Sequence, residues 1–401
     1  MRSPQDTDHA IMTNEQYIQT HKEDDVRRLA LAKHPEGIDL QYCLQQIEGW
    51  QTARRKLPRW AGTDGVVFPR RLSLEQCSSE ATALYKARIV ERLLPEGRDS
   101  IADLTAGMGV DFSYLAPLFE RAVYVERDRE LCDLSERNMP LLGVENAVAV
   151  CREAEEFVLE GEHFSMLYLD PARRDKDGRK VSSIEHCSPD VGSMAKRLLE
   201  ISPLVMVKLS PMLDIHDALT RLPDVAEIHV VGVDGECKEL LLVMRRSHAY
   251  PIRHVCADLG EHGSEYAFEG GKAAAPTISP SIDSFLYEPN ACILKAGIQD
   301  SLCKAFGIGK LHPFSHLFTS DKKVEGFPGR SFQVVSVSDC SKKSIRNMAG
   351  NLGKANLTVR NFPSTVAELR KKWKLAEGGE DYLFATTVAD GSFAIIHCKK
   401  A

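Results

Sequence analysis

The sequence predicts an α/β protein: a parallel sheet covered by helices and closed by an antiparallel hairpin, with a helical N-terminal region and small α+β modules at the C-terminal end. Three observations carry this. Between residues 98 and 245, short apolar runs of strand character alternate with amphipathic helical segments, the pattern of successive βαβ units. Ile101-Ala102-Asp103-Leu104-Thr105-Ala106-Gly107-Met108-Gly109-Val110-Asp111 reads as strand, glycine turn, helix, the helix continuing through Phe112, Leu115 and Phe119. Two strand-like runs, Glu227–Val233 and Glu239–Met244, flank Asp234-Gly235, a strong hairpin signal.

The segments follow in order. Residues 1–75 read as a helical accessory region, with Val26, Leu29 and Leu31 in one amphipathic stretch and Leu40, Cys43, Leu44 and Ile47 in another. Arg54-Arg55-Lys56-Leu57-Pro58-Arg59-Trp60 and Phe68-Pro69-Arg70-Arg71 interleave basic and aromatic residues. Such a stretch can grip phosphates and stack a base, or it can be a solvated loop with Trp60 packed inward; both readings stand. A helix carrying Leu84, Ile89 and Leu93 follows, capped by Ser78 or Ser79 with Glu80 in its first turn.

Strands are expected near 99–104, 122–126, 147–151, 164–169 and 203–209, which places Asp103, Glu126, Glu153 and Asp170 at strand tips. Open parallel sheets bind ligands at the carboxyl ends of their strands, and an acid about 20 residues past a glycine turn commonly holds a ribose diol. The glycine turn lets a ligand approach the backbone and aims helix N–H groups at it. A nicotinamide-binding unit is the rival reading. It calls for a third glycine where this chain has Phe112, and for a parallel sheet without a closing hairpin.

Asp170-Pro171-Ala172-Arg173-Arg174 leads into a basic loop, Asp175-Lys176-Asp177-Gly178-Arg179-Lys180, suited to clamping a phosphate backbone. Lys208, at the fifth strand tip, is a second pocket-lining candidate. The domain boundaries expected are 1–75, 76–245, a linker region 246–283, a small domain 284–337 and a last module 338–401. That module concentrates Lys342, Lys343, Arg346, Lys354, Arg360, Arg370, Lys371, Lys372 and Lys374, with Glu368 the only acid between 341 and 375. Val366, Leu369 and Trp373 mark the inner face of one helix, so Arg370, Lys371 and Lys372 are expected to face largely outward.

Composition bounds the rest. The chain has 401 residues and a net charge of −6, enough length for two to three domains and no global nucleic-acid signature. Its 11 cysteines include no C-x-x-C and read as reduced thiols, with no metal site expected. No apolar run reaches the ~18 residues of a membrane span, and the N-terminus has no apolar leader core. A cytoplasmic protein is expected.

The motif residues resemble the class I S-adenosylmethionine (SAM)-dependent methyltransferases, closely over 76–245. The resemblance implies that Asp103, Thr105, Gly107, Gly109 and Asp111 form the cofactor-wrapping motif. It puts Glu126 on the ribose, Glu153 at adenine, and Ser79 and Thr82 near the methionyl end. Asp170-Pro171-Ala172-Arg173 stands in place of the [D/N]PP[Y/F] active-site motif, with Ala for the second Pro and Arg for the aromatic. The C-terminal parts resemble the ferredoxin-like and THUMP-like domains of a bacterial RNA methyltransferase family. The implied reaction is methylation of a nucleobase nitrogen in RNA, tRNA or rRNA, with Asp170 and Pro171 catalytic and Arg173, Arg174, Lys208, Arg370, Lys371 and Lys372 on the substrate. Arg173 could stack on the base through its planar guanidinium. Cytosine C5 chemistry is disfavoured, because no Pro in the chain is followed by Cys. The alternatives are a protein or small-molecule methyltransferase, and a non-catalytic RNA-binding protein that holds SAM.

Overall fold

The computed structural model describes residues 12–172, 184–222, 224–246, 251–260, 264–269 and 275–401. Arg173, Arg174 and the basic loop after them lie outside the described residues. The chain divides into two compact units. One comprises Met1–Lys208, Thr220–Asp224 and Val243–Ser247; the other comprises Leu209–Leu219, Val225–Leu242 and His248–Ala401.

The strands of the first sheet are β1 (Ser100–Asp103), β2 (Arg121–Glu126), β3 (Ala147–Cys151), β4 (Met166–Leu169), β5 (Leu204–Leu209), β6 (Val225–Val233), β7 (Glu236–Arg245), β8 (Arg253–Asp258) and β9 (Ser264–Glu269). Their order is β3-β2-β1-β4-β5-β7-β6-β8-β9. The pairs β3–β2, β2–β1, β1–β4 and β4–β5 are parallel, so their carboxyl ends lie along one rim. β1 and β4 are buried along their whole length, as strands covered on both faces must be. The hairpin β6–β7 turns on Asp234 and Gly235, both at positive φ (52° and 77°), the conformation a two-residue hairpin loop requires. The region read as a linker instead contains β8 and β9, which extend this sheet. Their Arg253–Asp258 and Ser264–Glu269 segments are short, and no strong alternation announces them.

The N-terminal helices are Asn14–His21, Val26–Leu31, Leu40–Lys56, Pro58–Ala61 and Arg71–Gln76. Tyr17, Leu29, Cys43 and Ile47 form their own small core. They are also tied to the sheet-bearing part of the first unit. Asn138 bonds both ways with the Val67 backbone, its Oδ1 accepting from N–H at 3.0 Å and its Nδ2 donating to C=O at 2.8 Å. The Arg59 amide donates to Glu80 at 2.8 Å. Trp60 is fully buried and its indole N–H donates to Ser113 Oγ at 3.2 Å. The base-stacking reading of Trp60 is therefore excluded: no face of its ring is open.

In the second unit, β10 (Phe285–Pro289), β11 (Gly309–Lys310), β12 (Phe318–Ser320), β13 (Gly329–Asp339), β14 (Asn356–Arg360), β15 (Asp381–Thr387) and β16 (Phe393–Lys400) form a second sheet in the order β11-β12-β10-β13-β16-β15-β14. It is antiparallel except for β14–β15. Along β15, Leu383 and Ala385 join one core with Leu369 and Trp373, while Phe384 joins another with Leu286, Phe332 and Ile396. Alternate residues thus serve opposite faces, as the strand's period of two dictates.

No helix of the described residues is long and apolar enough to cross a membrane. Among them no group of three or more His, Cys, Asp or Glu side chains is placed to hold a metal ion.

Candidate active site

The glycine loop leaves β1 at Asp103 and enters the helix Val110–Leu115. Gly107 and Gly109 both sit at positive φ, 60° and 85°, where an L side chain is strained. They differ in surroundings. A Cβ on Gly107 would meet nothing nearer than Thr105 O at 3.9 Å, whereas one on Gly109 would lie 2.4 Å from Met139 Cε. Gly109 is a packing glycine; Gly107 borders open space.

The loop is latched to the tip of β2. The Gly107 amide donates to Glu126 Oε2 at 2.8 Å, and Glu126 Oε1 accepts from the Arg127 and Asp128 amides, each at 2.9 Å. From behind, the Tyr124 hydroxyl donates to the Gly107 carbonyl. Asp103 is buried and accepts from the Thr105 amide at 3.1 Å. Burial pushes its carboxyl well above the usual range; the Thr105 bond opposes that, and the charges of Asp111, Asp170 and Glu126 add to it.

Asp170 follows β4, the strand beside β1. Its amide donates to Thr105 Oγ1 at 2.5 Å, and its carboxylate pairs with the Lys208 ammonium at the tip of β5. Burial raises the Asp170 carboxyl, and Lys208 pulls the other way without cancelling the rise. Pro171 is buried next to it. Thr105 thus joins the glycine loop to the end of β4 with one hydroxyl.

Glu153 stands at the N-terminal cap of the helix after β3, exposed, 3.7 Å from Arg127. Asp103, Thr105, Gly107, Glu126, Asp170 and Lys208 are brought together. Ser79 and Thr82 are engaged with each other: Ser79 Oγ accepts from the Thr82 amide at 3.3 Å and Thr82 Oγ1 donates to the Ser79 carbonyl at 3.1 Å. They cap the helix Glu80–Leu93. The neighbouring Ser78 makes the contact to the loop instead, donating to Asp111 Oδ2 at 2.7 Å.

Sequence reasoning missed two participants. Lys86 is completely buried, its ammonium 3.0 Å from Asp111 Oδ1, and the Tyr168 hydroxyl donates to Asp111 Oδ2 at 2.8 Å. Burial alone would raise Asp111. Lys86, Lys208 and the Ser78 and Tyr168 hydroxyls more than offset this, and its carboxyl is held below the usual range. A signal existed for Lys86: it lies on the buried face that Thr82, Ala83, Ile89, Val90 and Leu93 define along one helix.

The expectation that Arg370 faces outward is corrected. Its guanidinium donates to the Ala355 carbonyl at 3.2 Å and the Ala376 carbonyl at 2.9 Å, closing two backbone ends beside the helix Val366–Trp373. Arg360 likewise binds the buried Glu288 carboxylate at 2.8 Å together with Arg330. Lys371 and Lys372 are exposed.

Residues 285–328 match the model of a ferredoxin-like domain and residues 329–400 that of a THUMP-like domain. The crystal structure of a "putative methyltransferase from Porphyromonas gingivalis W83" superimposes with a TM-score of 0.86 and 33% identity, over 97% of each chain. The chain belongs to that protein's family. This chain thus joins a Rossmann-like methyltransferase fold to C-terminal ferredoxin-like and THUMP-like domains. A SAM-dependent methyltransferase from Agrobacterium tumefaciens overlaps 41% of this chain and 60% of its own, at 14% identity and a TM-score of 0.31. That overlap is partial and nothing further rests on it. No curated protein matches the chain.

Proposed function

We propose that the chain transfers the methyl group of SAM to a nitrogen of an RNA nucleobase. The observation that carries this reading is the glycine loop latched to Glu126, with Asp170 fastened to the same loop through Thr105. The residues suit the cofactor. Asp103, Asp111, Glu126 and Asp170 set four carboxylates against the two ammonium groups of Lys86 and Lys208. A ligand carrying a sulfonium and an α-ammonium would favour the ionised forms of these acids and be held by them in turn. The space beside Gly107 admits a ligand against the backbone.

In this reading Glu126 meets the ribose, Glu153 lies at the adenine end, and Asp103 with the loop that follows it lines the methionyl end. Bound SAM supplies an electrophilic methyl group. Asp170 and the Pro171 carbonyl accept from an exocyclic amine and turn its lone pair toward that methyl, so the protein's contribution is chiefly orientation. Lys208 fixes one oxygen of Asp170 and leaves the other for the acceptor. Arg173 and Arg174 are proposed for the base and its phosphate. The exposed Lys371 and Lys372 of the THUMP-like domain are proposed as backbone contacts.

The test is transfer of tritiated methyl from SAM to total RNA and, separately, to total protein. Label in RNA supports the reading, and label in protein alone removes the RNA acceptor. SAM binding without transfer to either pool would leave a SAM-holding RNA-binding protein. Mass spectrometry of nucleosides from a strain lacking the protein then names the base and atom.

A further inference from the structure

Lys86 has no part in the chemistry proposed above, yet it is the most deeply buried cation near the loop. Its ammonium donates to Asp111 Oδ1 at 3.0 Å and to Ser78 Oγ at 3.1 Å. Asp111 also receives the hydroxyls of Ser78 at 2.7 Å and Tyr168 at 2.8 Å. One carboxylate therefore ties together four segments: the turn before the helix Glu80–Leu93, that helix itself, the helix that begins at Val110 after the glycine loop, and β4. Tyr168 stands two residues before Asp170. A buried ion pair adds little cohesion that apolar side chains of the same size could not supply. What it does provide is a fixed geometry, here at the point where the cofactor loop meets the strand carrying the acceptor motif.

We propose that Lys86 is a positioning residue, which through Asp111 holds the glycine loop in its SAM-binding form and sets that loop's distance from the acceptor motif. This rests on the reading of the loop as the SAM site. Lys86→Met removes Asp111's hydrogen-bonded ion-pair partner and leaves only the charge of Lys208 acting on it, and the loop's helix loses its anchor. Lys86→Met with Asp111→Asn removes both charges and keeps the hydroxyl contacts. Tyr168→Phe severs the tie to β4 alone.

The experiment is calorimetric titration of the full-length chain with S-adenosylhomocysteine, far below each variant's melting temperature, alongside steady-state methyl transfer. The expected result is a Kd raised at least tenfold in Lys86→Met and restored to within about threefold of wild type in the double variant. Tyr168→Phe is expected to keep the wild-type Kd within twofold and to lower kcat. A network that only held the fold together would lower the melting temperature of each variant and leave the affinity of the folded protein unchanged, and that result would overturn the proposal. Should Lys86→Met not fold, Asp111→Asn carries the same comparison: weakened binding, restored by adding Lys86→Met, supports it, and wild-type binding overturns it. A wild-type chain that takes up no S-adenosylhomocysteine would instead overturn the underlying SAM reading, and is seen before any variant is made.

Discussion

The Gly107 amide donates to Glu126 Oε2 across 2.8 Å, so the loop after β1 is fastened to the tip of β2 before any ligand arrives. Glu126 accepts two further amides on its other oxygen, which leaves one lone pair of Oε2 open for the proposed ribose contact. Preorganisation of this kind lowers the ordering cost of binding. Glu126→Gln turns one acceptor into a donor that faces an amide N–H. The expected loss is about 1.5–3 kcal/mol, the scale of a hydrogen bond to a charged group, or roughly ten- to hundredfold in S-adenosylhomocysteine affinity. Calorimetry measures it, and an unchanged Kd would take Glu126 out of the cofactor site.

Gly109 gives a different kind of prediction. At φ 85° with Met139 Cε 2.4 Å from a hypothetical Cβ, alanine there meets both backbone strain and a clash. Met139 is flexible enough to yield, so the strain dominates. Gly109→Ala is expected to cost about 1–2 kcal/mol of stability. Gly107→Ala meets the strain without the clash, and its added methyl intrudes on the proposed ligand space. Thermal melts with and without S-adenosylhomocysteine separate the two: ligand stabilisation should survive better in Gly109→Ala than in Gly107→Ala.

Much of this site is legible in the sequence because its chemistry is local there. The strand, the two glycines and the acid at the next strand tip recur at short spacing, and the structure joins Gly107 to Glu126. Asp170 is legible as a strand-tip acid for the same reason, and the structure ties it to Thr105. What stays hidden depends on packing between distant segments. Lys86 is legible only as a lysine on the apolar face of its helix; that Asp111 is its partner emerges once the helix is laid against the loop. Arg370 is misread because helical periodicity tells which side of a helix is apolar. It does not reveal that a long side chain on the helix flank can fold back to the Ala355 and Ala376 carbonyls. The strands β8 and β9 escape because their apolar runs, Val255-Cys256-Ala257 and Tyr266-Ala267-Phe268, are only three residues long and are bordered by polar and turn residues.

Asp170 supports a prediction in pH. Burial raises its carboxyl above the ordinary aspartate value, with Lys208 opposing the rise. The proposed role, accepting from an amine, needs the ionised form. Activity should therefore fall as pH drops through a point above the ordinary aspartate value. Lys208→Met removes the opposing charge and should move that acid limb to still higher pH. Asp170→Ala should abolish transfer while leaving S-adenosylhomocysteine affinity largely intact. A pH–rate profile of kcat for wild type and Lys208→Met decides it: an acid limb that stays in place, or moves down, excludes Asp170 as the titrating group.

The C-terminal basic residues divide by what their side chains touch, and their variants should divide the same way. Arg370 is spent on backbone carbonyls, so Arg370→Ala is expected to destabilise by about 0.5–1.5 kcal/mol, the net scale of hydrogen bonds lost at a partly exposed site. Lys371 and Lys372 are exposed, and reversing them to Glu should leave the melting temperature nearly unchanged. If they meet an RNA backbone, the double reversal weakens binding and flattens the dependence of log K on log salt by roughly 0.7–0.9 for each phosphate no longer neutralised. Filter binding to total tRNA over a salt series measures that slope. An unaltered slope in Lys371→Glu/Lys372→Glu would mean this face of the helix is solvated and the RNA, if bound, is held elsewhere.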